Sequence, residues 1–263
     1  MSISFGRKAE IIVAGRNFIF PQLYLEFNVK FDADSVPDEF TVDLYNLADD
    51  TMEVIQRSQG ITINAGYGED MGTLTQGIVT TVSSEKSGMD RIFHIKGLNI
   101  TSQYLKVKLN KSYAENTTAT FIMKDLANSL GIKFDILSVK QDVIYPRGYY
   151  ASGTFQDIIS DLVDDCNSLF IVSGASLVVI PGWSGYTYGY LIDAEHGLIS
   201  VEDIDRNDTP AKYKVKCLLT HGIQAYTFLD LRSEKVSGRM LVAEGQHSLS
   251  GSDFITECEV IPI

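Results

Sequence analysis

The groups available for chemistry are four histidines, three cysteines and 34 aspartates and glutamates. Their spacing forms no reactive pattern. His94, His196, His221 and His247 stand far apart in the chain. HExxH, CxxC, GxSxG and the Gly-rich phosphate loop are all missing. His94 alternates with Phe93 and Ile95, which gives it the wet face of a strand, the place of a surface or interface residue. His196 precedes Gly197 in a turn. Asp32, Asp34 and Asp38 resemble the start of a calcium loop. Such a loop needs Gly at its sixth position and Glu at its twelfth, and here those positions hold Pro37 and Asp43. An acidic hairpin loop is the expected role. Asp164 and Asp165 are neighbours on a helix and cannot face each other. A glycosidase needs two carboxyls about 5 Å apart, and no pair here is singled out. The sequence therefore predicts no catalytic residue, no metal ligand and no cofactor.

Aromatic residues are the other candidates. Trp183, Tyr186, Tyr188 and Tyr190 lie in PGWSGYTYGYL beside Gly182, Gly185 and Gly189. The three tyrosines share one face of an extended segment, which suits a protein-binding surface. The alternative is an edge strand that packs its rings inward. Tyr145, Tyr149 and Tyr150, around Pro146 and Gly148, make a second aromatic loop with the same two readings. Trp183, Tyr186, Tyr188, Tyr190, Tyr149 and Tyr150 are the candidate interface residues.

Composition narrows the partners. With 44% hydrophobic and 21% charged residues the chain is an ordinary globular one. A net charge of -12 argues against neutralising nucleic-acid phosphates and against an anionic membrane surface. It serves either solubility or a functional acidic surface. Cys166, Cys217 and Cys258 fall on apolar faces, as buried free thiols of a reducing compartment do. Cys217 and Cys258 are possible neighbours in one sheet. No apolar run has the length of a signal peptide or membrane span, so synthesis in the cytoplasm without membrane insertion is expected.

The elements that would position these residues are mostly strands. Leu23, Leu25, Phe27, Val29 and Phe31 alternate with polar residues, as do Phe40, Val42 and Leu44, and then Ile61, Ile63, Ala65 and Tyr67. Between them, Asp50 and Glu53 have the spacing of a capping-box variant opening a short helix that Gly60 ends. Gly77, inside the strand from Leu74 to Val82, predicts a bulge or a close backbone approach. Leu105, Val107 and Leu109 read as an exit strand. Thr118 caps a helix carrying Phe121, Ile122, Leu126, Ala127 and Leu130. Thr154 with Asp157 opens another, carrying Ile158, Ile159, Leu162, Val163 and Cys166. Residues 169–172 and 177–180 form a hairpin. Further strands run over 213–219, 225–231, 239–243 and 254–261.

The expected fold class is mainly β (α+β): two tube-like antiparallel β-barrels, residues 1–110 and 183–263, separated by a small α/β module, residues 111–182. No repeat links the two β segments at the level of sequence.

The run from Leu23 to Val82, with its YNLADDT turn into a short helix and its ITINAGYGEDMGTLTQGIV strand pair, resembles the first tube-like domain of phage baseplate hub proteins. These are the late control protein D-like hubs of contractile tails. SYAENTTATFIMKDLANSLGI, GTFQDIISDLVDDCNSLFIVSGASLVVIP and FITECEVIP resemble the hub's later segments in order. The resemblance implies a homotrimer with six barrels in a ring, joining a hexameric tail tube to a trimeric spike. Its implied partners are the tail tube or distal tube protein, the central spike protein, and a baseplate wedge or tape-measure protein, with no sequence-specific nucleic acid. Its implied place is the baseplate of a virion or tail-like particle assembled in the bacterial host cytoplasm. No enzyme activity is implied. A cell-wall or partner-binding module and an acidic peptidoglycan hydrolase are the alternatives.

Overall fold

The computed structural model describes residues 6–32, 38–99, 104–134, 136–173, 176–181, 189–206 and 209–263. Strands β1 (Arg7–Val13) and β2 (Arg16–Phe20) form a hairpin across Ala14 and Gly15. Both turn residues have positive φ, 54° and 69°, the backbone of a tight two-residue hairpin turn. In β3 (Leu25–Phe31) and β4 (Glu39–Tyr45) the alternation holds: Leu25, Phe27, Val29, Phe31, Phe40, Val42 and Leu44 are buried.

Helix α1 (Asp49–Val54) follows, and its ends correct the sequence reading. Its N-cap is Ala48, whose carbonyl accepts from Thr51 and Met52, and the cap makes no side-chain bond. The Asp50–Glu53 box is not formed, because Asp50 already lies inside the first turn. The helix stops before Gly60, where the Gln59 side chain takes over: its amide donates to the Val54 carbonyl at 3.0 Å and its oxygen accepts from Gln56 N–H at 2.9 Å. Gly60 instead opens β5 (Gly60–Tyr67), which pairs with β6 (Asp70–Ser87), and β6 with β7 (Asp90–Asn99). Gly77 does mark a close approach: a Cβ there would stand 2.4 Å from the Phe40 ring and 2.4 Å from the Leu98 carbonyl.

The next part of the chain is α/β. It comprises β8 (Lys108–Tyr113), β9 (Thr117–Thr118), α2 (Ala119–Ser129), β10 (Ile136–Leu137), β11 (Ile144–Tyr145), β12 (Tyr149–Thr154), α3 (Phe155–Asp165), β13 (Leu169–Ser173) and β14 (Ser176–Ile180). Thr118 caps α2 by accepting from Phe121 N–H, and Thr154 and Asp157 complete a reciprocal capping box on α3. Ile122, Met123, Leu126, Ile158, Ile159 and Leu162 fill the shared core of the two helices. Phe121, expected among them, is exposed. The expected exit strand is corrected too: β8 pairs with β12, and Leu105 is buried in this α/β core.

The last part is β15 (Gly189–Ile192), a 3-10 turn (Ala194–His196), β16 (Leu198–Asp203), β17 (Tyr213–Leu218), β18 (Phe228–Arg232), β19 (Ser237–Ser250) and β20 (Asp253–Pro262). The strand expected from Ala225 starts only at Phe228. Tyr226 has a φ of 64°, and Thr227 N–H bonds the Gln224 carbonyl, so those residues turn.

The chain divides into two compact units, Thr101–Thr187 and Met1–Ile100 together with Tyr188–Ile263. In the second of these a 13-stranded, almost wholly antiparallel sheet runs β16-β17-β20-β19-β3-β4-β7-β6-β5-β1-β2, with β18 on β19 and β15 on β18. The parallel β15–β18 pair is the exception. Strand β19 joins the segments. Ser237–Leu241 pair with β18, a bulge follows between Val242 and Glu244, and Gly245–Leu249 then pair with β3. Each segment keeps its own core. Ile11, Leu25, Phe27, Phe40 and Ile63 belong to one, Val215, Leu229, Val242 and Val260 to the other, and β3 gives Phe27 to the first and Phe31 to the second. The mainly β, antiparallel class expected from the alternation is the class observed.

Candidate assembly interface

Of the six aromatic candidates, Trp183, Tyr186 and Tyr188 lie outside the described residues. Tyr190, on β15, packs against the second core. Its ring fills the space a Cβ at Gly222 would take, with the hydroxyl 1.8 Å from that position. Tyr149 and Tyr150 belong to a strand rather than a loop, because 149–154 pair with 108–113. Tyr149 turns inward, its ring centroid 4.7 Å from that of Tyr145, whose hydroxyl donates to Asp165 at 2.7 Å. Burial, with that carboxylate beside it, pushes the Tyr145 phenol well up. Tyr150 faces solvent at 61% exposure. Of the three described candidates, Tyr150 is the exposed one.

The histidines each find an acidic or hydroxyl partner. Nδ1 of His94 lies 2.7 Å from Asp43 and Nε2 lies 3.5 Å from Glu85. Both ring nitrogens face carboxylates, so neither is turned to a nucleophile. Asp193 accepts from His196 and from the backbone of Glu195 and His196, which holds its carboxyl below the usual range. Nε2 of His221 lies 3.0 Å from Asp70 and so ties the two β segments together. Among the described residues, no group of three His, Cys, Asp or Glu side chains is placed to hold a metal ion.

The joint between the segments is polar on its outer side. A cleft of about 280 Å³ opens there, lined in part by Lys30, Lys214, Glu244, Glu257 and Glu259. Two of its carboxylates are paired: Lys214 meets Glu257 at 2.8 Å, and Arg206, from outside the lining, meets Glu259 at 2.7 Å. Burial, with the Glu259 charge nearby, pushes the Glu244 carboxyl up. This is a salt-bridged seam.

The two ends of the sheet path are different. Among the described residues β2 pairs only with β1 and β16 only with β17. Each end strand exposes an isoleucine, Ile19 at 39% and Ile199 at 50%. Each also borders an open depression, about 580 Å³ beside β2 and about 700 Å³ beside β16. Sequence reasoning passed over both strands. The signal was there for β2: Ile11 and Val13, then Phe18 and Phe20, repeat at period two around Ala14-Gly15.

No family model matches the chain, and no curated protein matches it in sequence. Solved structures do match it in shape. A tail protein from Neisseria meningitidis MC58 superposes with a TM-score of 0.67 at 11% identity, over 97% of this chain and 96% of that one. The 43 kDa tail protein of prophage MuSo2 from Shewanella oneidensis superposes with a TM-score of 0.68 at 10% identity, over 98% and 97%. The chain has the fold of these tail proteins. The Escherichia coli c3393 protein is also similar, with a TM-score of 0.56 at 10% identity over 96% of this chain and 76% of that one. It is described as a type VI secretion system component with structural similarity to the T4 bacteriophage tail proteins gp27 and gp5. The tail-protein fold thus extends over nearly the full chain, the α/β module included.

Proposed function

We propose that this chain is a structural component of a phage tail or tail-like particle, and specifically its baseplate hub. Three copies form a ring whose six tube-like halves are the β segments before and after the α/β module. One observation carries the reading: two β cores, one on each side of an inserted α/β unit, are joined through β19 in a single sheet, and this arrangement superposes end to end on two tail proteins. Two tube-like halves per chain convert a three-fold particle into a six-fold contact surface, which is what a junction between a hexameric tube and a trimeric spike needs. The partners that follow are the tail tube or distal tube protein above, the central spike below, and a wedge or tape-measure protein. The chain acts as a wall and not as an enzyme. If DNA passes through the ring, acidic side chains outnumber basic ones on its lumen, since basic ones would hold the phosphates.

Mass by light scattering together with electron microscopy of the purified protein tests this. The expected result is a trimer seen as a ring with a central hole. A compact particle without a hole, at the mass of one chain, contradicts it.

A further inference from the structure

We propose that the ring closes by strand addition, β2 of one copy pairing antiparallel with β16 of the next. This rests on the ring reading above and supplies its interface.

A strand paired on one side presents a row of N–H and C=O groups, a template for a further strand. The sheet path ends in two such strands, β2 and β16. They lie in different β segments and differ in sequence, so joining them is a head-to-tail contact. Such a contact generates a ring when its rotation closes.

Charge selects this pairing over its rivals. β2 reads RNFIF and β16 reads LISVED, net +1 against net -2. Two copies of β16 would bring together two strands of net -2, and like charges repel. The other exposed edges of this sheet among the described residues are β15, which pairs only with β18, reads GYLI and carries no charge, and the run Thr80–Ser87 of β6, beyond the point where β5 ends at Gly60 opposite Ile78. That run carries Glu85 and Lys86, which cancel, so charge favours neither edge.

Side-chain faces then fix the register. Phe18 is buried in the first core, and Val201 packs against the second. Keeping the two core faces on one side sets Phe18 opposite Val201. Counting outward antiparallel, Asn17 comes opposite Glu202 and Arg16 opposite Asp203, whose carboxylate already meets Lys235 at 2.7 Å within the chain, so Arg16 joins that pair as a second cation. Ile19 comes opposite Ser200, next to Ile199 at the bulge between Leu198 and Ser200. The two exposed isoleucines are thereby covered together. The open depressions beside β2 and β16 leave room for the approach.

The test places one cysteine on each strand of the full chain, Asn17→Cys with Glu202→Cys, and adds a short thiol-to-thiol cross-linker. Cross-strand partners hold their Cβ atoms about 5 Å apart, within the linker's reach. Cys166, Cys217 and Cys258 are buried and contribute no background. The expected product is a covalent trimer from the double variant and uncross-linked chains from either single variant. A trimer by light scattering that does not cross-link, or that cross-links through Ser84→Cys with Glu202→Cys instead, overturns the pairing and leaves the hub reading standing. A ladder running past trimer supports the pairing and overturns the three-fold ring. Protein that stays monomeric and uncross-linked at its highest soluble concentration overturns both.

Discussion

Nδ1 of His247 lies 2.8 Å from Oγ1 of Thr256, and neither side chain has any exposed surface. The pair spans β19 and β20 at the place where β19 also takes up β3, with Val29 opposite His247 on the other side. The Phe31 ring stands 4.9 Å from the imidazole. A neutral histidine thus sits at the joint of the two β segments.

That placement makes the joint sensitive to acid. Burial pushes the His247 imidazole down from 6.5 to about 3; the nearby His221 charge adds to the effect and the Ile223 backbone partly opposes it. The unfolded chain therefore takes up this proton at a higher pH than the folded one. The stability is complete above about pH 6.5 and is lost progressively as pH falls towards 3, by up to about 1.4 kcal/mol per pH unit. Denaturant melts at pH 7 and pH 5 should show the loss in the natural protein. His247→Gln, which keeps a partner for Thr256, should reduce it; an unchanged pH slope in that variant would assign the sensitivity elsewhere.

The two helix starts predict opposite outcomes. Thr154→Ala removes the hydroxyl arm of the α3 capping box, in which Oγ1 accepts from Asp157 N–H at 3.1 Å, and leaves the Asp157 carboxylate on the backbone N–H of residue 154; loss of such a cap costs about 1 kcal/mol. Asp50→Ala removes only a 3.5 Å contact with Thr51, and it should change stability by less than about 0.5 kcal/mol. Thermal melts of the two variants side by side check the pair. Equal losses would mean that Asp50 does cap α1.

What the sequence showed was local. Leu25, Phe27 and Val29 alternate because each residue's face is set by its neighbours, and Thr154 with Asp157 announces a cap three residues long. What it hid depends on distant partners. Leu105, Val107 and Leu109 alternate like a barrel strand, yet Leu105 goes to the α/β core. Asp50 and Glu53 have capping spacing, yet Ala48 starts the helix. Nothing local to Gly245–Leu249 announces that it pairs with β3, more than 200 positions earlier. Tyr190 is a similar case: its spacing allowed either an exposed ring or one packed inward, and Gly222, more than 30 positions later, makes room for the inward one.

The three thiols should be inert in the folded protein. Cys217 and Cys258 lie on the adjacent strands β17 and β20 and are both free. Burial pushes the Cys217 thiol up to about 12; burial and then the Cys217 charge push Cys258 well above its ordinary value, and burial also raises Cys166. The thiolate is the reactive form. A polar thiol reagent at pH 7.5 should label none of the three before unfolding and all three after it. Rapid labelling of one thiol in the native protein would show that its part of the core opens.

Gly97 and Phe40 offer the sharpest test of core packing. Phe40 lies across β7, and a Cβ on Gly97 would fall 2.1 Å from the tip of its ring and 2.6 Å from the Ile78 carbonyl. Gly97→Ala must displace the ring or spread β6 from β7, and overpacking of this kind costs about 1–3 kcal/mol. Phe40→Leu removes the ring and leaves the Ile78 carbonyl in place. It should destabilise the natural protein by opening a cavity, but cost less in the Gly97→Ala background. A double-mutant cycle should then give a favourable coupling of about 1 kcal/mol. Additive losses would mean that the carbonyl, and not the ring, is what excludes a side chain at position 97.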